Sequence, residues 1–365
     1  MSRVCVVTTT AFIANTYLRP LLVGLAARHE LTLALNMRDG YTLEPELAKK
    51  LHVVHVPIAR RIAPLRDLAA LAALRQLFAG GRFDSAHSIA PKAGLLGMLA
   101  ARAAGVPKRI HTFQGEIWAT AGGARRALLK AADRLTARAA THALVVSRGE
   151  QAFLEDEGVL APGLSTVLAN GSISGVDTAR FRPDAQTRAA VRRELGLGET
   201  ELVVIYVGRL ARDKGVLDLA SAASGFHLML VGPDEEGLTT RISNPDGKIR
   251  FIGYSTAPER YLAAADIACL PSHREGFGVA LIEAGACGLP VLASRLYGTQ
   301  DAVVEGETGL LHEPRNVTDI ASKLTMLAGD RGLRERLGQA GRARAESSFR
   351  QEALVQALLD YYSRL

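Results

Sequence analysis

The chain is poor in cysteine and in aromatic residues, and each shortage excludes a class of protein. Only 3 of its 365 residues are cysteines, and aromatic side chains make up 5%. Cys5, Cys269 and Cys287 all lie inside apolar segments, such as "RVCVV" and "IACLP". An odd and dispersed set of this kind indicates buried thiols in a reducing compartment. It is typical neither of a disulfide framework nor of a cysteine metal site.

Long hydrophobic runs are also missing. The longest, "AGLLGMLAARAAG", is interrupted by Arg102 and is too short to span a bilayer. The chain opens directly on the strand-like "RVCVVTT", so no signal peptide is expected before the fold. These features predict a cytoplasmic protein.

A dinucleotide fingerprint is absent after the first predicted strand. A nicotinamide-dependent oxidoreductase would need Gly-x-Gly-x-x-Gly there, and "TTTAFIANT" does not supply it.

What the chain does have is an α/β pattern repeated in two halves. Its length predicts two domains, and a hydrophobic content of 48% with 35 glycines is ordinary for a globular enzyme. Strand-like runs alternate with helical patterns, which indicates βαβ crossovers and parallel sheets. The runs of the first half are "RVCVVTT", "LTLALN", "HVVHVPI", "SAHSIA", "KRIHTF" and "HALVVS". Those of the second half are "ELVVIYVG", "FHLMLVG", "IRFIG", "DIACLPS", "GLPVLAS" and "GLLHEP".

Charge is unevenly divided between the halves. Residues 1–180 hold 22 Lys and Arg against 13 Asp and Glu, whereas residues 181–365 hold 22 against 24. A basic first half favours an anionic partner: a membrane surface, a diphosphate-bearing acceptor or nucleic acid. The alternative is scattered solvated charge. Nucleic acid is the runner-up explanation, and no platform of aromatic and basic residues for it is recognisable.

One basic segment, "ARRIAPLRDLAALAALRQLFAGGR", combines arginines with apolar residues. It predicts a helix near residues 66–79 that packs on a sheet through an apolar stripe and carries basic residues on its outer face. Peripheral membrane contact is one interpretation of that face. The stripe consists of Leu68, Leu71, Ala72, Leu77 and Phe78.

Two cations follow the first strand of the second half. In "GRLARDKG" Arg209 and Lys214 stand five positions apart across a turn just past the strand end. A guanidinium and an ammonium together suit a diphosphate. A solvated turn is the competing interpretation.

The stretch "EGFGVALIE" strengthens the ligand interpretation. Gly276 and Gly278 open the backbone before a helix predicted to begin near Phe277 or Gly278, and the free amides of its first turn suit an anion. A carboxylate beside that anion site is better used on neutral hydroxyls. Glu275 and Glu283 would then bind hydroxyls on either side of the phosphates, which describes a nucleotide sugar.

Four motifs in this order resemble one family. "EGFGVALIE" is similar to the E-x7-E signature and "VGRLARDKG" to the G-R-x4-K-G element of family 4 retaining glycosyltransferases, which have the GT-B fold. "HSIAPKAGLLGMLAARAAGVPKRIHTFQGE" resembles a first-domain segment of the bacterial capsule, O-antigen and exopolysaccharide transferases in that family. "LANGSISGVDTARF" resembles the segment that joins the two domains.

The resemblance implies a role for each matching residue. Glu275 would contact donor-sugar hydroxyls and Glu283 the ribose hydroxyls, while Arg209 and Lys214 would hold the diphosphate. His111 in "RIHTFQGE" would face the donor sugar, with Glu116 a weaker candidate for the acceptor side. Backbone groups would contact the sugar and phosphate; they belong to Gly276, Phe277, Gly278 and Val279.

The resemblance also implies an α/β fold of two Rossmann-like domains with a deep cleft between them. Residues 1–175 would form the acceptor-side domain, with a C-terminal helix over 348–365 packing back on it. Residues 176–347 would bind the nucleotide sugar. No Asp-x-Asp occurs in the chain, so neither a metal nor another cofactor is expected, and Arg209, Lys214 and the helix dipole would neutralise the leaving group.

The implied activity is retaining transfer of a hexose or N-acetylated amino sugar from a nucleotide diphosphate, most simply UDP. The acceptor would be an undecaprenyl-diphosphate-linked saccharide at the inner face of the cytoplasmic membrane. A GT-B epimerase, or a non-catalytic protein of the same fold that binds nucleotide sugars, is the alternative, since binding residues alone would look the same.

Overall fold

The computed structural model describes residues 1–38 and 40–365. They form two compact units. The first comprises Met1–Ser174 together with Glu352–Leu365, and the second comprises Gly175–Gln351.

The first unit is built on a parallel sheet of seven strands in the order β3-β2-β1-β4-β5-β6-β7. The parallel sheet predicted from the alternation is confirmed. The seventh strand was not predicted, because three residues are too few to show a periodicity. The strands are β1 Arg3–Thr10, β2 Glu30–Asn36, β3 His52–His55, β4 Ser85–Ile89, β5 Lys108–Phe113, β6 His142–Val145 and β7 Ser165–Val167.

Helices cover both faces of this sheet. Successive side chains of a strand point to opposite faces, so Val4 and Val6 of β1 pack in one apolar cluster and Cys5 and Val7 in another. The helices are α1 Ala11–Ile13, α2 Arg19–Ala26, α3 Pro45–Ala48, α4 Pro64–Gly81, α5 Pro91–Ala103, α6 Gly123–Ala139 and α7 Arg148–Asp156. A π-helical turn over Ala14–Leu18 joins α1 to α2, and a 3₁₀ turn over Ile117–Thr120 follows β5.

Helix α4 buries only part of the predicted stripe: Phe78 is buried, and Leu71 and Leu77 are partly buried against the same core cluster. Ala70, Leu74 and Phe78 are the buried residues, whereas Leu68 and Ala72, placed by the sequence pattern against the sheet, are exposed. The pattern could not decide between the two because this helix carries apolar residues on opposite faces.

The second unit repeats the architecture with six parallel strands in the order β10-β9-β8-β11-β12-β13. Its strands are β8 Val203–Val207, β9 His227–Val231, β10 Ile249–Gly253, β11 Ile267–Leu270, β12 Val291–Ser294 and β13 Gly309–His312. Its helices are α8 Ala185–Glu194, α9 Val216–Ala222, α10 Pro258–Ala264, α11 Val279–Ala286, α12 Thr299–Ala302, α13 Val317–Gly329 and α14 Arg331–Ser348. Short 3₁₀ turns cover Arg212–Lys214 and Leu238–Arg241.

The last helix, α15, spans Gln351–Arg364, and from Glu352 onward it groups with the first unit. Its Leu354 and Leu358 join the cluster that covers one face of the first sheet. A buried hydrogen-bond chain adds specificity to this packing. His87 on β4 bonds the Tyr362 hydroxyl at 2.9 Å through Nδ1 and the Thr112 hydroxyl at 2.7 Å through Nε2.

Among residues 1–38 and 40–365, no helix is both long and apolar enough to cross a membrane.

Candidate active site

Two loops at the carboxyl edge of the second sheet carry the predicted donor-binding residues. Arg209 follows β8, Lys214 ends the 3₁₀ turn after it, and Glu275 lies between β11 and α11. Strands β8 and β11 are neighbours in this sheet. Because the carboxyl ends of parallel strands meet at one edge, side chains 61 positions apart in sequence come together there.

Lys214 and Glu275 form an ion pair. Lys214 Nζ lies 2.6 Å from Glu275 Oε1, and both side chains are largely buried, at 17% and 14% exposed. The Ser272 hydroxyl donates to the same oxygen at 2.7 Å. One carboxylate oxygen is thus fixed by two donors, which orients the carboxylate and leaves Oε2 as the acceptor for a further hydroxyl.

A glycine makes the approach of the Lys214 turn possible. Gly215 has a φ of 66°, and a Cβ atom there would lie 2.0 Å from the carbonyl oxygen of Pro271. No side chain fits at that distance, and the left-handed conformation favours glycine as well. Gly215 therefore lets the turn pack directly against Pro271 at the end of β11, next to Glu275.

A second glycine supports the Glu275 loop from the other side. At Gly298, in the loop before α12, a Cβ atom would lie 2.3 Å from the carbonyl of Gly276 and 2.5 Å from the carbonyl oxygen of Glu275. The Glu275–Gly276 backbone therefore packs against bare glycine backbone, and its position depends on that close contact.

Arg209 is paired with a residue that the sequence did not single out. Its Nη1 lies 2.8 Å from Glu235 Oε2, with the two side chains 27% and 19% exposed. Glu235 stands in the loop after β9, the neighbour of β8. Its signal in the sequence is weak: an acidic "PDEEG" directly after a strand. The Tyr206 hydroxyl also donates to the Arg209 carbonyl at 2.7 Å, which fixes the backbone at this strand end.

Arg209 and Lys214 act on a common neighbour, Asp213. Burial raises the pKa of the Asp213 carboxyl, but nearby cations outweigh this effect and hold that pKa below its ordinary value. Those cations are Lys214, Arg274 and Arg209. Arg274 Nη2 lies 2.8 Å from Asp213 Oδ2 and ties this loop to the loop that carries Glu275.

The glycine-phenylalanine-glycine turn leads into α11 as the sequence predicts. Gly278, with a φ of 90°, precedes the first residue of the helix, Val279. The Phe277 ring is buried and packs edge-on against Phe349, with ring centroids 5.3 Å apart. The ring therefore packs inside the protein, and the neighbouring Gly276 and Gly278 are buried with it.

Glu283, the fifth residue of α11, has a different environment from Glu275. Burial raises its pKa to about 7, the Arg180 cation lowers it, and Glu259 raises it further. Arg180 in turn bonds Glu259, with Nη2 2.8 Å from Oε2. The two signature glutamates therefore have different surroundings: Glu275 is ion-paired with Lys214, whereas burial raises the pKa of Glu283 to about 7. The sequence pattern predicted no role for Arg180, which lies within "VDTARF".

His111 lies in the first unit, near the carboxyl end of β5, and is 1% exposed. Its Nδ1 is 2.8 Å from the Ser88 hydroxyl and 3.1 Å from the Ser88 carbonyl oxygen. A carbonyl only accepts, so the hydrogen-bond network assigns the proton to Nδ1 and the lone pair to Nε2. The pKa of this histidine falls to about 3, because burial lowers it, His87 adds to that effect and the Ser88 carbonyl opposes it only in part.

A helix shapes the His111 site from one side. A Cβ atom on Gly94 of α5 would lie 2.4 Å from His111 Cε1, so the ring rests on bare backbone. Phe113 packs edge-on against it with centroids 4.4 Å apart. The ring is held in one orientation as a neutral hydrogen-bond acceptor.

Glu116 is buried and interacts with Glu150, which the sequence did not indicate. The Glu150 carboxylate accepts from the amides of Gly115 and, at 2.8 Å, Val146. Burial first and Glu116 second raise the pKa of Glu150 well above its ordinary value. The Gly115 loop that follows β5 is therefore fixed by a carboxyl pair.

Two Rossmann-like units of parallel strands define the GT-B fold, which solved glycosyltransferases share with this chain. Models of two domain families match in the same order: "glycosyl transferase 4-like domain" over residues 14–171 and "glycosyl transferases group 1" over residues 187–344. The chain belongs to this group 1 glycosyltransferase family and is a transferase of the EC 2.4 class.

Individual relatives agree with this assignment. The chain is similar to the capsular polysaccharide biosynthesis glycosyltransferase CapM of Staphylococcus aureus, at 29% identity over 89% of this chain and 88% of that protein. It is 26% identical to the UDP-Gal:alpha-D-GlcNAc-diphosphoundecaprenol alpha-1,3-galactosyltransferase of Escherichia coli, over 88% and 89% of the two chains. Anabaena HepE, solved in complex with UDP-glucose, superposes over 100% of both chains with a TM-score of 0.81 at 20% identity.

Proposed function

We propose that this enzyme transfers a sugar, with retention of configuration, from a UDP-linked donor to a lipid-linked saccharide during surface-polysaccharide synthesis. The observation that carries the proposal is the Lys214–Glu275 pair at 2.6 Å, with Arg209 at the neighbouring strand end. A fixed carboxylate for sugar hydroxyls beside two cations for phosphates matches the chemical order of a nucleotide sugar.

The two units divide the substrates. The second, with residues 176–347 at its centre, holds the donor, and the first, with residues 1–175 and the C-terminal helix, holds the acceptor. The basic balance of residues 1–180 supports this division, because a lipid diphosphate is anionic.

Within the donor site, each group has one task. Arg209 and Lys214 neutralise the diphosphate together with the amides of the first turn of α11. Glu275 receives donor-sugar hydroxyls at Oε2, since Oε1 is already engaged. Glu283 receives the ribose hydroxyls. When the phosphates bind, Lys214 bridges them and the Glu275 carboxylate.

The resemblance to retaining transferases supports the following chemistry. The bond between the anomeric carbon and the β-phosphate oxygen breaks, and its electron pair stays on the phosphate. The acceptor oxygen attacks the same face of a short-lived oxocarbenium-like ion, and its proton passes to the departing phosphate oxygen. Protein groups lower the barrier by stabilising the charge that develops on the leaving group; no carboxylate is needed as a nucleophile.

His111 serves as a neutral acceptor for a donor-sugar hydroxyl through Nε2. A histidine with a pKa near 3 is uncharged at any working pH, so it cannot act as a proton-donating imidazolium. Its contribution is orientation of the sugar.

The named relatives support the donor and the acceptor class. One is named for a UDP-galactose donor and a diphosphoundecaprenol acceptor, another for capsular polysaccharide, and the structural neighbour holds UDP-glucose. Those names describe the other proteins; for this chain they favour UDP over other nucleotides.

A thermal-shift series tests the donor. UDP should raise the melting temperature more than GDP at equal concentration, because stabilisation follows affinity for the native state. The UDP-sugars that stabilise the protein are then tested for release of UDP in the presence of a lipid-diphosphate saccharide. Equal stabilisation by GDP and UDP would contradict the donor assignment, and a product with inverted configuration would contradict the mechanism.

A further inference from the structure

Helix α4 carries apolar residues on two opposite faces, and only one of them is covered. At about 100° per residue, Ala70, Leu74 and Phe78 share one face, and all three are buried. Leu65 and Leu68 lie on the other face and are 84% and 63% exposed. A helix needs one apolar face to pack on its own domain, so the second requires another explanation.

The outer apolar face continues beyond the helix. Ala69 and Ala72 extend it along α4 and are exposed. Ile62, in the turn before the helix, is 71% exposed. Scattered single exposed leucines are ordinary, but three large apolar side chains within seven positions form a patch. We call Ile62, Leu65, Leu68, Ala69 and Ala72 the α4 outer face.

Arginines border this face on both sides. On the helical wheel Arg66 and Arg75 fall on either side of the Leu65–Leu68 stripe, and both are exposed. Arg61 precedes Ile62 and is exposed as well. An apolar centre with basic margins is the pattern of a helix that lies in the interface of an anionic bilayer, where the arginines reach the lipid phosphates.

The wider sequence keeps this region positive. From Lys50 to Phe83 the basic residues are Lys50, Arg60, Arg61, Arg66, Arg75 and Arg82, and the acidic residue is Asp67. That carboxylate does not oppose the arginines, because it is ion-paired inward: Lys92 Nζ of α5 lies 2.8 Å from Asp67 Oδ1. Charge complementarity therefore favours an anionic surface.

The same ion pair makes the face rigid. Lys92 also donates to the Arg61 carbonyl, and the Ala63 amide donates to Asp67 Oδ2 at 3.1 Å. These hydrogen bonds hold the turn that carries Ile62 against α4 and α5 in the free protein. Little conformational entropy is therefore lost on docking.

We propose that the α4 outer face docks the first unit on an anionic lipid bilayer, with Ile62, Leu65 and Leu68 inserted between head groups and Arg61, Arg66 and Arg75 on the phosphates. This deepens the proposed function, since a lipid-linked acceptor lies in a bilayer. The docking proposal rests on the proposed function only for its biological purpose, because lipid binding itself is measured without turnover.

Vesicle sedimentation tests the proposal with the full chain. We expect binding to phosphatidylcholine vesicles that contain about a third phosphatidylglycerol, weaker binding to pure phosphatidylcholine, and release in about 0.5 M salt. The triple variant Ile62→Ser, Leu65→Ser, Leu68→Ser should bind at least about tenfold more weakly. The double variant Arg61→Gln, Arg66→Gln should lose about fivefold for each charge.

Leu164→Ser provides a matched control. Leu164 is 69% exposed in the same unit, and no Lys or Arg lies within five positions of it. It should bind vesicles like the unmodified protein. The UDP-induced thermal shift of each variant checks that the protein is folded, and the donor proposal can fail in that measurement without affecting sedimentation.

A fluorescence experiment covers the case in which the serine variants do not fold. Leu65→Trp should show a blue-shifted emission on adding anionic vesicles, and Leu164→Trp should not. Equal vesicle binding by the triple-serine variant would overturn the proposal. So would a change in molecular mass of that variant in solution without loss of vesicle binding, because the face would then be an interface between copies of the chain.

Discussion

Lys214 Nζ and Glu275 Oε1 lie 2.6 Å apart, although 61 positions separate the two residues in sequence. The contact joins the loop after β8 to the loop after β11, and both side chains are largely buried. Neither residue is therefore an independent ligand group. Each fixes the position of the other before a donor binds.

The first prediction concerns this pair. Glu275→Gln keeps the size of the side chain and its bond with Ser272 but removes the charge, and Lys214→Ala removes the cation. We expect each to lower kcat/KM by about 100-fold, as removal of one charge-stabilising group does in other sites. Because the residues act as a unit, the double variant should be little worse than either single one.

Lys323→Ala is the control for the loss of an ion pair in the same unit. Lys323 pairs with Asp319 on α13 at 3.2 Å, with similar partial burial. The kcat/KM of Lys323→Ala should equal that of the unmodified enzyme. Multiplicative losses in the double variant would show that Lys214 and Glu275 contact different parts of the substrate independently.

A second prediction tests whether the glycine beneath Lys214 positions it. Gly215→Ala places a Cβ atom 2.0 Å from the Pro271 carbonyl oxygen, so the turn must move. We expect a loss of at least about 3 kcal/mol in the free energy of unfolding and loss of UDP binding. Denaturant titration and thermal shift measure the two effects.

Gly196→Ala separates the clash from backbone strain. Gly196 has nearly the same φ, 65°, but open space where the Cβ atom would lie. Its cost should be about 1 kcal/mol, with UDP binding kept. If both variants lost the same stability, the contact with Pro271 would have no special role.

The sequence predicted the two parallel sheets and the strand ends at which Arg209, Lys214 and Glu275 lie. Strand-like apolar runs that alternate with helical patterns indicate parallel strands, and ligands bind at the carboxyl ends of the strands in such sheets. What it could not predict were pairings that depend on strand order. Glu235 meets Arg209 only because β9 lies beside β8, and nothing local to "PDEEG" indicates this neighbour.

Burial was the other limit. The stripe predicted for α4 included Leu68 and Ala72, which are exposed, because a helix that is apolar on both faces gives no periodic preference. The carboxyl pair of Glu116 and Glu150 was missed for a similar reason. Burial of two acids depends on the tertiary fold, and local sequence favours solvent for both.

The third prediction is a pH dependence that arises from Glu283. Its pKa in the folded protein is about 7, raised from the ordinary value of 4.5 by burial. The folded state therefore binds the proton more tightly than the unfolded state, so the contribution to stability is complete below pH 4.5 and is lost as the pH rises through 7. Ribose hydroxyls donate to the ionised form, so donor affinity should increase over the same range.

Glu283→Gln isolates this effect. The donor KM of the unmodified enzyme should fall as the pH rises from about 6 to about 8, and the variant should show a flat profile with a higher KM. Asp133 in the first unit also has a raised pKa, about 6, caused by burial and opposed by the Trp118 hydrogen bond. A profile that persists in Glu283→Gln would assign the titration to another group such as Asp133.

Arg180 provides a fourth prediction on the same group. Its cation lowers the pKa of Glu283 and bonds Glu259, which raises that pKa. Arg180→Gln should therefore move the midpoint of the KM profile to higher pH while kcat at saturating donor changes little. Measurement of kcat and KM separately distinguishes this result from a structural defect, which would lower both stability and kcat without moving the midpoint.

The last prediction tests whether the α5 backbone at Gly94 holds the His111 ring in its orientation. Gly94→Ala puts a Cβ atom 2.4 Å from His111 Cε1, so the ring must leave the orientation that its bond with Ser88 fixes. Alanine favours a helix by about 1 kcal/mol over glycine, and overpacking costs about 1–3 kcal/mol, so stability should fall only modestly. The activity should fall as far as in His111→Ala, because the hydroxyl acceptor is displaced in both.

Gly97→Ala, one turn along α5, is the control. Its Cβ atom would lie 3.4 Å from Ser88 Cβ, an ordinary contact distance, so this variant should keep both activity and melting temperature. Full activity of Gly94→Ala beside an inactive His111→Ala would mean that the ring acts without the orientation proposed for it.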